Sequence, residues 1–146
     1  MKNRLLLFAF TGLLAACRQE IEPESVTLAD RLSGTYQTNS FLDVLCIALP
    51  PDKMPVADLK VESDSEVTLT VRRFFPVADT QTLRKVKLQP LADHSVRLLY
   101  QSEEIGTYQT DRVFTNSGME TQGNVLRISR AAGDPQTSLY FTGYQR

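Results

Sequence analysis

Short runs in which apolar and polar residues alternate, each closed by a cluster of turn-forming residues, recur from about residue 31 to the end of this chain. They restrict it to an all-β, antiparallel fold. Alternation is clearest in Val67-Thr68-Leu69-Thr70-Val71, Val96-Arg97-Leu98, Val125-Leu126-Arg127-Ile128-Ser129-Arg130 and Leu139-Tyr140-Phe141-Thr142, the period-two pattern of a strand with one buried face. Further strands are expected over Leu32–Thr38, Leu42–Leu49, Val56–Glu62, Leu83–Gln89 and Ile105–Phe114. Turn-rich breaks separate them at Pro50–Lys53, Glu62–Ser65, Pro76–Thr80, Leu91–Asp93, Asn116–Gly118 and Ala132–Pro135. Over Ser40–Leu49 the positions of Phe41, Val44, Leu45, Ala48 and Leu49 also fit a helix face; we read a buried strand, with the helix as the other option.

Eight or nine short strands joined mainly by hairpin-sized breaks predict a single antiparallel meander. Closing it into a barrel would leave no open edges, with a β-sandwich as the alternative. Leu32-Ser33-Gly34-Thr35-Tyr36 resembles the opening strand of the lipocalin-like barrels found among small bacterial lipoproteins. Tyr36 stands where lipocalins proper have tryptophan, a residue this chain lacks, and Thr110-Asp111-Arg112 is a partial echo of a second lipocalin motif. The resemblance implies a lipocalin-like barrel over residues 31–146.

The N-terminus carries a different signal. Lys2 and Arg4 precede an apolar run, Leu5–Leu14, interrupted only by Thr11 and Gly12. The run is shorter than the roughly 20 apolar residues of a membrane span. Ala15 and Ala16 then precede a cysteine, giving the charge, apolar core and small-residue order of a signal peptide. Leu14-Ala15-Ala16-Cys17 also resembles the lipobox of bacterial lipoproteins. That resemblance implies removal of residues 1–16, acylation of Cys17 and residence in the cell envelope; an ordinary secretory signal is the alternative. Each buried acyl methylene contributes about 0.8 kcal/mol, so two or three chains hold a protein on a bilayer.

Residues 17–30 read as the lipidated cysteine and a flexible tether, polar and without sustained periodicity. Extended, its span is roughly 45 Å at most. Glu20, Glu22, Glu24 and Asp30 face one base there, Arg18, leaving residues 31–146 close to neutral in a chain of formal charge −1. Near-neutrality excludes the basic stripe of a nucleic-acid binder. Arg18, where the inner-membrane retention signal of enteric bacteria has aspartate, makes the outer membrane the expected location.

With Cys17 acylated, Cys46 has no intrachain disulfide partner. Its apolar surroundings, Val44 to Leu49, suit a buried thiol acting as a small hydrophobe, the alternatives being a reactive thiol or an intermolecular disulfide. The single histidine, His94, is expected in an exposed turn, and neither a metal site nor a cofactor is expected. Gly34-Thr35-Tyr36-Gln37-Thr38 recurs as Gly106-Thr107-Tyr108-Gln109-Thr110. A duplicated half-barrel is one explanation; independent use of residues suited to bent strands is the other.

In a meander the apolar stripes fix which side chains face inward. Continuing the stripe of Val67, Leu69 and Val71 brings Arg73 inward at its strand end. The stripe of Val86 and Leu88 extended backwards does the same for Arg84, and that of Leu126 and Ile128 for Arg130. These cations, with Tyr100, are expected to converge on one barrel mouth, where they would suit an amphipathic ligand with a carboxylate or phosphate head. The alternative is that the arginines snorkel into solvent over a barrel filled by its own side chains.

Two classes of function remain. One is a membrane-anchored protein binding a small amphipathic or lipid-like ligand in a barrel cavity. The other is a structural or protein-interaction module of the envelope with a filled barrel. No enzyme is expected: Glu103 and Glu104 are adjacent and point to opposite strand faces, Asp64 and Glu66 lie at a polar turn, and no nucleophile has a partnered base.

Overall fold

The computed structural model describes residues 26–43, 49–133 and 137–145; Cys17, Cys46 and most of the expected Leu42–Leu49 strand lie outside them. Eight strands follow in chain order: β1 (Gly34–Gln37), β2 (Val56–Ser63), β3 (Glu66–Arg73), β4 (Asp79–Pro90), β5 (Val96–Tyr100), β6 (Glu103–Phe114), β7 (Glu120–Arg130) and β8 (Leu139–Gln145). Each pairs antiparallel with its neighbours in sequence, and β8 returns to β1 to close the barrel. The expected barrel is therefore present and the sandwich is not. Closure rests on one residue pair, Gln37 opposite Tyr144, because β1 is short and the chain leaves it at Thr38.

Two local features depart from expectation. Where the tether was expected to run to Asp30 and a strand to begin at Leu32, a one-turn helix, α1 (Leu28–Leu32), occupies the junction. Five residues are too few to show a helical period. The helix stands instead on a reciprocal cap, with Thr27 Oγ1 accepting from the Asp30 amide while the Asp30 carboxylate accepts from the Thr27 amide. It also buries Ala29 and Leu32 in the barrel core. Its Ala29 amide donates to the Asp64 carbonyl in the β2–β3 turn, which places α1 at the barrel end opposite the β3–β4 turn.

The second departure is in β4. Val67 faces Val86 and Leu69 faces Leu83, so Arg84 and Lys85 together oppose Thr68, and Lys85 takes a left-handed φ of 58°. This bulge flips the alternation upstream of it. Leu83 takes the inward position and Arg84 is exposed.

The interior is a continuous apolar cluster. It includes Tyr36, Leu59, Val67, Leu69, Val86, Leu98, Leu126, Ile128 and Phe141, together with Leu32 and Ala29 of α1. The two copies of the Gly-Thr-Tyr-Gln-Thr repeat meet there: Tyr36 and Tyr108 contact edge to face, centroids 6.3 Å apart and planes at 87°. Tyr36 also donates its hydroxyl to the Leu32 carbonyl at 2.7 Å, tying α1 to the barrel.

The copies lie in β1 and β6, strands that run in opposite directions; a duplicated four-strand half would repeat β1 in β5. Their glycines also serve different needs. Gly34 has φ +136°, whereas a Cβ on Gly106 would stand 2.1 Å from the Arg127 carbonyl oxygen. The repeat thus reflects two separate solutions with the same residues.

Candidate functional site

The ends of β3, β5 and β7 and the starts of β4, β6 and β8 share one barrel end, so Arg73, Tyr100 and Arg130 all lie there, as their alternation requires. They do not form the expected convergent set. Arg73 is neutralised: its guanidinium sits 2.6 Å from the Asp79 carboxylate across the β3–β4 connection. Hydrogen bonding from Arg73, assisted by Gln81, holds the Asp79 carboxyl below the usual range. Arg84 faces outward, for the reason given by the bulge. The phase of Leu83, three residues before Val86 and five before Leu88, was the sequence signal that could have revealed it.

Tyr100 and Arg130 do come together. The Arg130 guanidinium lies over the Tyr100 ring at 5.3 Å, a cation–π contact. Its Nε is buried without a hydrogen-bond partner. This pair stands above a core that is filled below it.

The outward face of the barrel is polar and charge-paired. Arg72 meets Asp58 at 2.6 Å, Arg97 meets Glu104 at 2.9 Å and Arg127 meets Asp111 at 2.7 Å. Arg127 is the main reason the Asp111 carboxyl is held low, with the Arg112 amide adding to it. A transmembrane barrel presents an apolar band at these positions, so these strands do not face lipid. Among the described residues no helix is long and apolar enough to cross a membrane, and no group of three or more His, Cys, Asp and Glu side chains is placed to hold a metal. Glu104 is committed to Arg97, and His94 sits in the β4–β5 turn with φ 66°, where Asp93 accepts from the Ser95 amide and hydroxyl.

A concavity lies outside the barrel, where the β1–β2 connection departs. Asn39 organises this departure. Its Oδ1 accepts from the Phe41 and Leu42 amides and its Nδ2 donates to the Phe114 carbonyl at 2.7 Å. The chain is thereby pinned to the β6–β7 hairpin, Leu42 covers Val113, Val125 and Tyr144 on the outward sheet face, and Phe41 packs on Phe114, centroids 5.8 Å apart.

Between this connection and the β3–β4 loop runs a groove of about 520 Å³, whose lining includes apolar Met54, Pro55 and Phe74 and polar Gln37, Thr38 and Asn116. A smaller cavity of about 40 Å³ adjoins it, sharing Thr38 and Pro55 and reaching Arg73 and Phe141. The β3–β4 loop also exposes Phe74 (38%), Phe75 (48%) and Val77 (76%). None of these groove residues was read from the sequence as part of a site, although Gln37 and Thr38 end one copy of the repeat and Phe74-Phe75-Pro76-Val77 is an apolar run at a turn, where polar residues are the rule.

No protein-family profile, no curated protein and no solved structure matches this chain.

Proposed function

We propose that this chain is an exported bacterial lipoprotein, held in the envelope through acylated Cys17, in which a solid lipocalin-like barrel acts as a protein-interaction module through its outer surface. The anchoring part rests on the leader and the lipobox-like Leu14-Ala15-Ala16-Cys17, and Arg18 favours the outer membrane over the inner. The function of the domain rests on one observation: the barrel interior is occupied by its own side chains, while large apolar side chains are left at the surface beside a groove. An interior occupied by its own apolar side chains disfavours an acyl or isoprenoid body, and exposed apolar patches mark contact surfaces. The reading is of a non-enzymatic protein without a cofactor, and its near-neutral charge sets nucleic acid aside as a partner.

A Cys17→Ser variant is expected to lose metabolic palmitate labelling and to leave the membrane fraction; retention of both refutes the anchor. Native mass spectrometry of the protein purified from cells is expected to show the polypeptide without an apolar small molecule. A stoichiometric lipid would refute the solid-barrel reading and favour a second one. In that reading the Tyr100–Arg130 pair at the mouth holds the acidic head of an amphipathic ligand, and Arg130→Glu would release it.

A further inference from the structure

We infer that the groove between the β1–β2 connection and the β3–β4 loop is a binding site for an uncharged, partly apolar stretch of polypeptide from a protein partner. This deepens the interaction-module reading and rests on it. Size comes first: about 520 Å³ falls within the range of sites that enclose a small ligand or a few residues of a peptide.

Charge comes next. The groove's one ionisable side chain among the described residues is Asp52, which is well exposed and lies 3.9 Å from Lys53. Nothing there compensates the desolvation of a ligand ion, so a charged ligand is disfavoured. Amide and hydroxyl groups, from Gln37, Ser40 and Asn116, are instead the groups that pair with a peptide backbone.

A further observation points to a missing partner. Thr38 is 6% exposed, and its Oγ1 is buried with no hydrogen bond. Buried hydroxyls are normally satisfied. Thr38 lines both the groove and the adjoining 40 Å³ cavity; a χ1 rotation that turns its buried hydroxyl toward them gives it water in the free protein and a ligand carbonyl in the complex.

The apolar surface also continues past both rims. Phe74 leads to exposed Phe75 and Val77, and Ser40 leads to exposed Phe41, packed on Phe114. A surface extending beyond the groove on either side fits a macromolecular segment better than an isolated small molecule. The apolar anchor of that segment would lodge against Met54 and Phe74, in the manner of aromatic-lined grooves that take extended peptides.

The test is selection of a phage-displayed random heptapeptide library on the protein purified from expressing cells, followed by affinity measurement of the enriched peptides. Enriched sequences are expected to lack charged residues. Phe74→Ala is expected to weaken them at least tenfold and Thr38→Val at least threefold, with Lys87→Ala near the far end of β4 leaving affinity unchanged. Phe74 is partly exposed and Thr38→Val only removes an unpaired hydroxyl, so thermal melts should show both variants folded; a variant that does not melt cooperatively is replaced by Phe74→Leu or Thr38→Ala, for which a loss in the same direction is expected.

Failure to enrich any peptide, enrichment of charged peptides, or affinities indifferent to both positions overturns the inference. Binding of chitotriose in place of peptides, lost on the same substitutions, would overturn it in favour of a glycan. Palmitate labelling and native mass spectrometry report on the anchor and the solid barrel independently, so the groove can fail while that reading stands.

Discussion

Removing the Tyr36 hydroxyl probes whether α1 and the barrel form one cooperative unit. In Tyr36→Phe the ring keeps its place and its edge-to-face contact with Tyr108. What is lost is the 2.7 Å hydrogen bond to the Leu32 carbonyl, leaving a buried acceptor at the end of α1 without that partner. Such losses cost about 1–3 kcal/mol. Tyr36→Ala additionally removes the ring contact with Tyr108, about 0.5–1.5 kcal/mol, and opens a cavity in the core. By the precedent of large aromatic truncations its total is about 3–5 kcal/mol. For a domain of this size 1 kcal/mol shifts Tm by roughly 4 °C, so the expected falls are about 4–12 °C and 12–20 °C. Urea unfolding followed by circular dichroism measures both, with the m-value unchanged if the native state stays compact. A Tyr36→Phe variant within about 0.3 kcal/mol of the parent would falsify the argument, because α1 would then be docked without help from the hydroxyl.

The other predictions concern backbone and pH. Gly106→Ala places a Cβ 2.1 Å from the Arg127 oxygen and is expected to cost about 2–3 kcal/mol or more, whereas Gly133→Ala, with nothing within 4 Å, should lie within about 0.5 kcal/mol of the parent; equal melts for the two would refute the close-approach argument. The β5–β6 hairpin turns through Gln101 and Ser102, both left-handed at φ 52° and 70°, the conformation that asparagine and glycine adopt more readily. Replacing the pair by Asn-Gly should therefore stabilise by about 1 kcal/mol, and a lower Tm would count against that turn.

Burial is the first cause raising the Tyr36 and Tyr108 phenols above their ordinary value of 10.0. The folded state thus favours their neutral forms, and this contribution is complete below pH about 10 and lost as pH rises toward the folded values. Absorbance at 295 nm, compared with Tyr36→Phe and Tyr108→Phe variants, should show these two phenols ionising only with alkaline unfolding; their titration before unfolding would contradict their burial.

Much of the fold was legible because strand alternation is a local property. The stripes around Val67–Val71, Val96–Leu98 and Leu139–Thr142 each lie in an observed strand, and the breaks at Glu62–Ser65, Leu91–Asp93 and Asn116–Gly118 are observed turns between paired strands. The rim prediction failed at Arg84 because extrapolating a stripe assumes an unbroken ladder, and one bulge inverts every side chain beyond it. It was incomplete at Arg73 because Asp79 belongs to the next strand's start, in a stretch read as a turn. The Tyr100–Arg130 contact survived because their phase passes through no bulge within β5 or β7.

By itself, then, the sequence determined the class: an antiparallel all-β chain of about eight strands, near-neutral; export and acylation are proposed from its first seventeen residues. These follow from periodicity and composition, which neighbours along the chain suffice to define. Only the tertiary structure decided that the meander closes through Gln37 and Tyr144, that α1 and the interior side chains form one buried core, and that a groove lies outside it. Closure, filling and the groove depend on residues such as Asn39, Phe74 and Phe114, far apart in sequence, and on how many side chains meet in one volume.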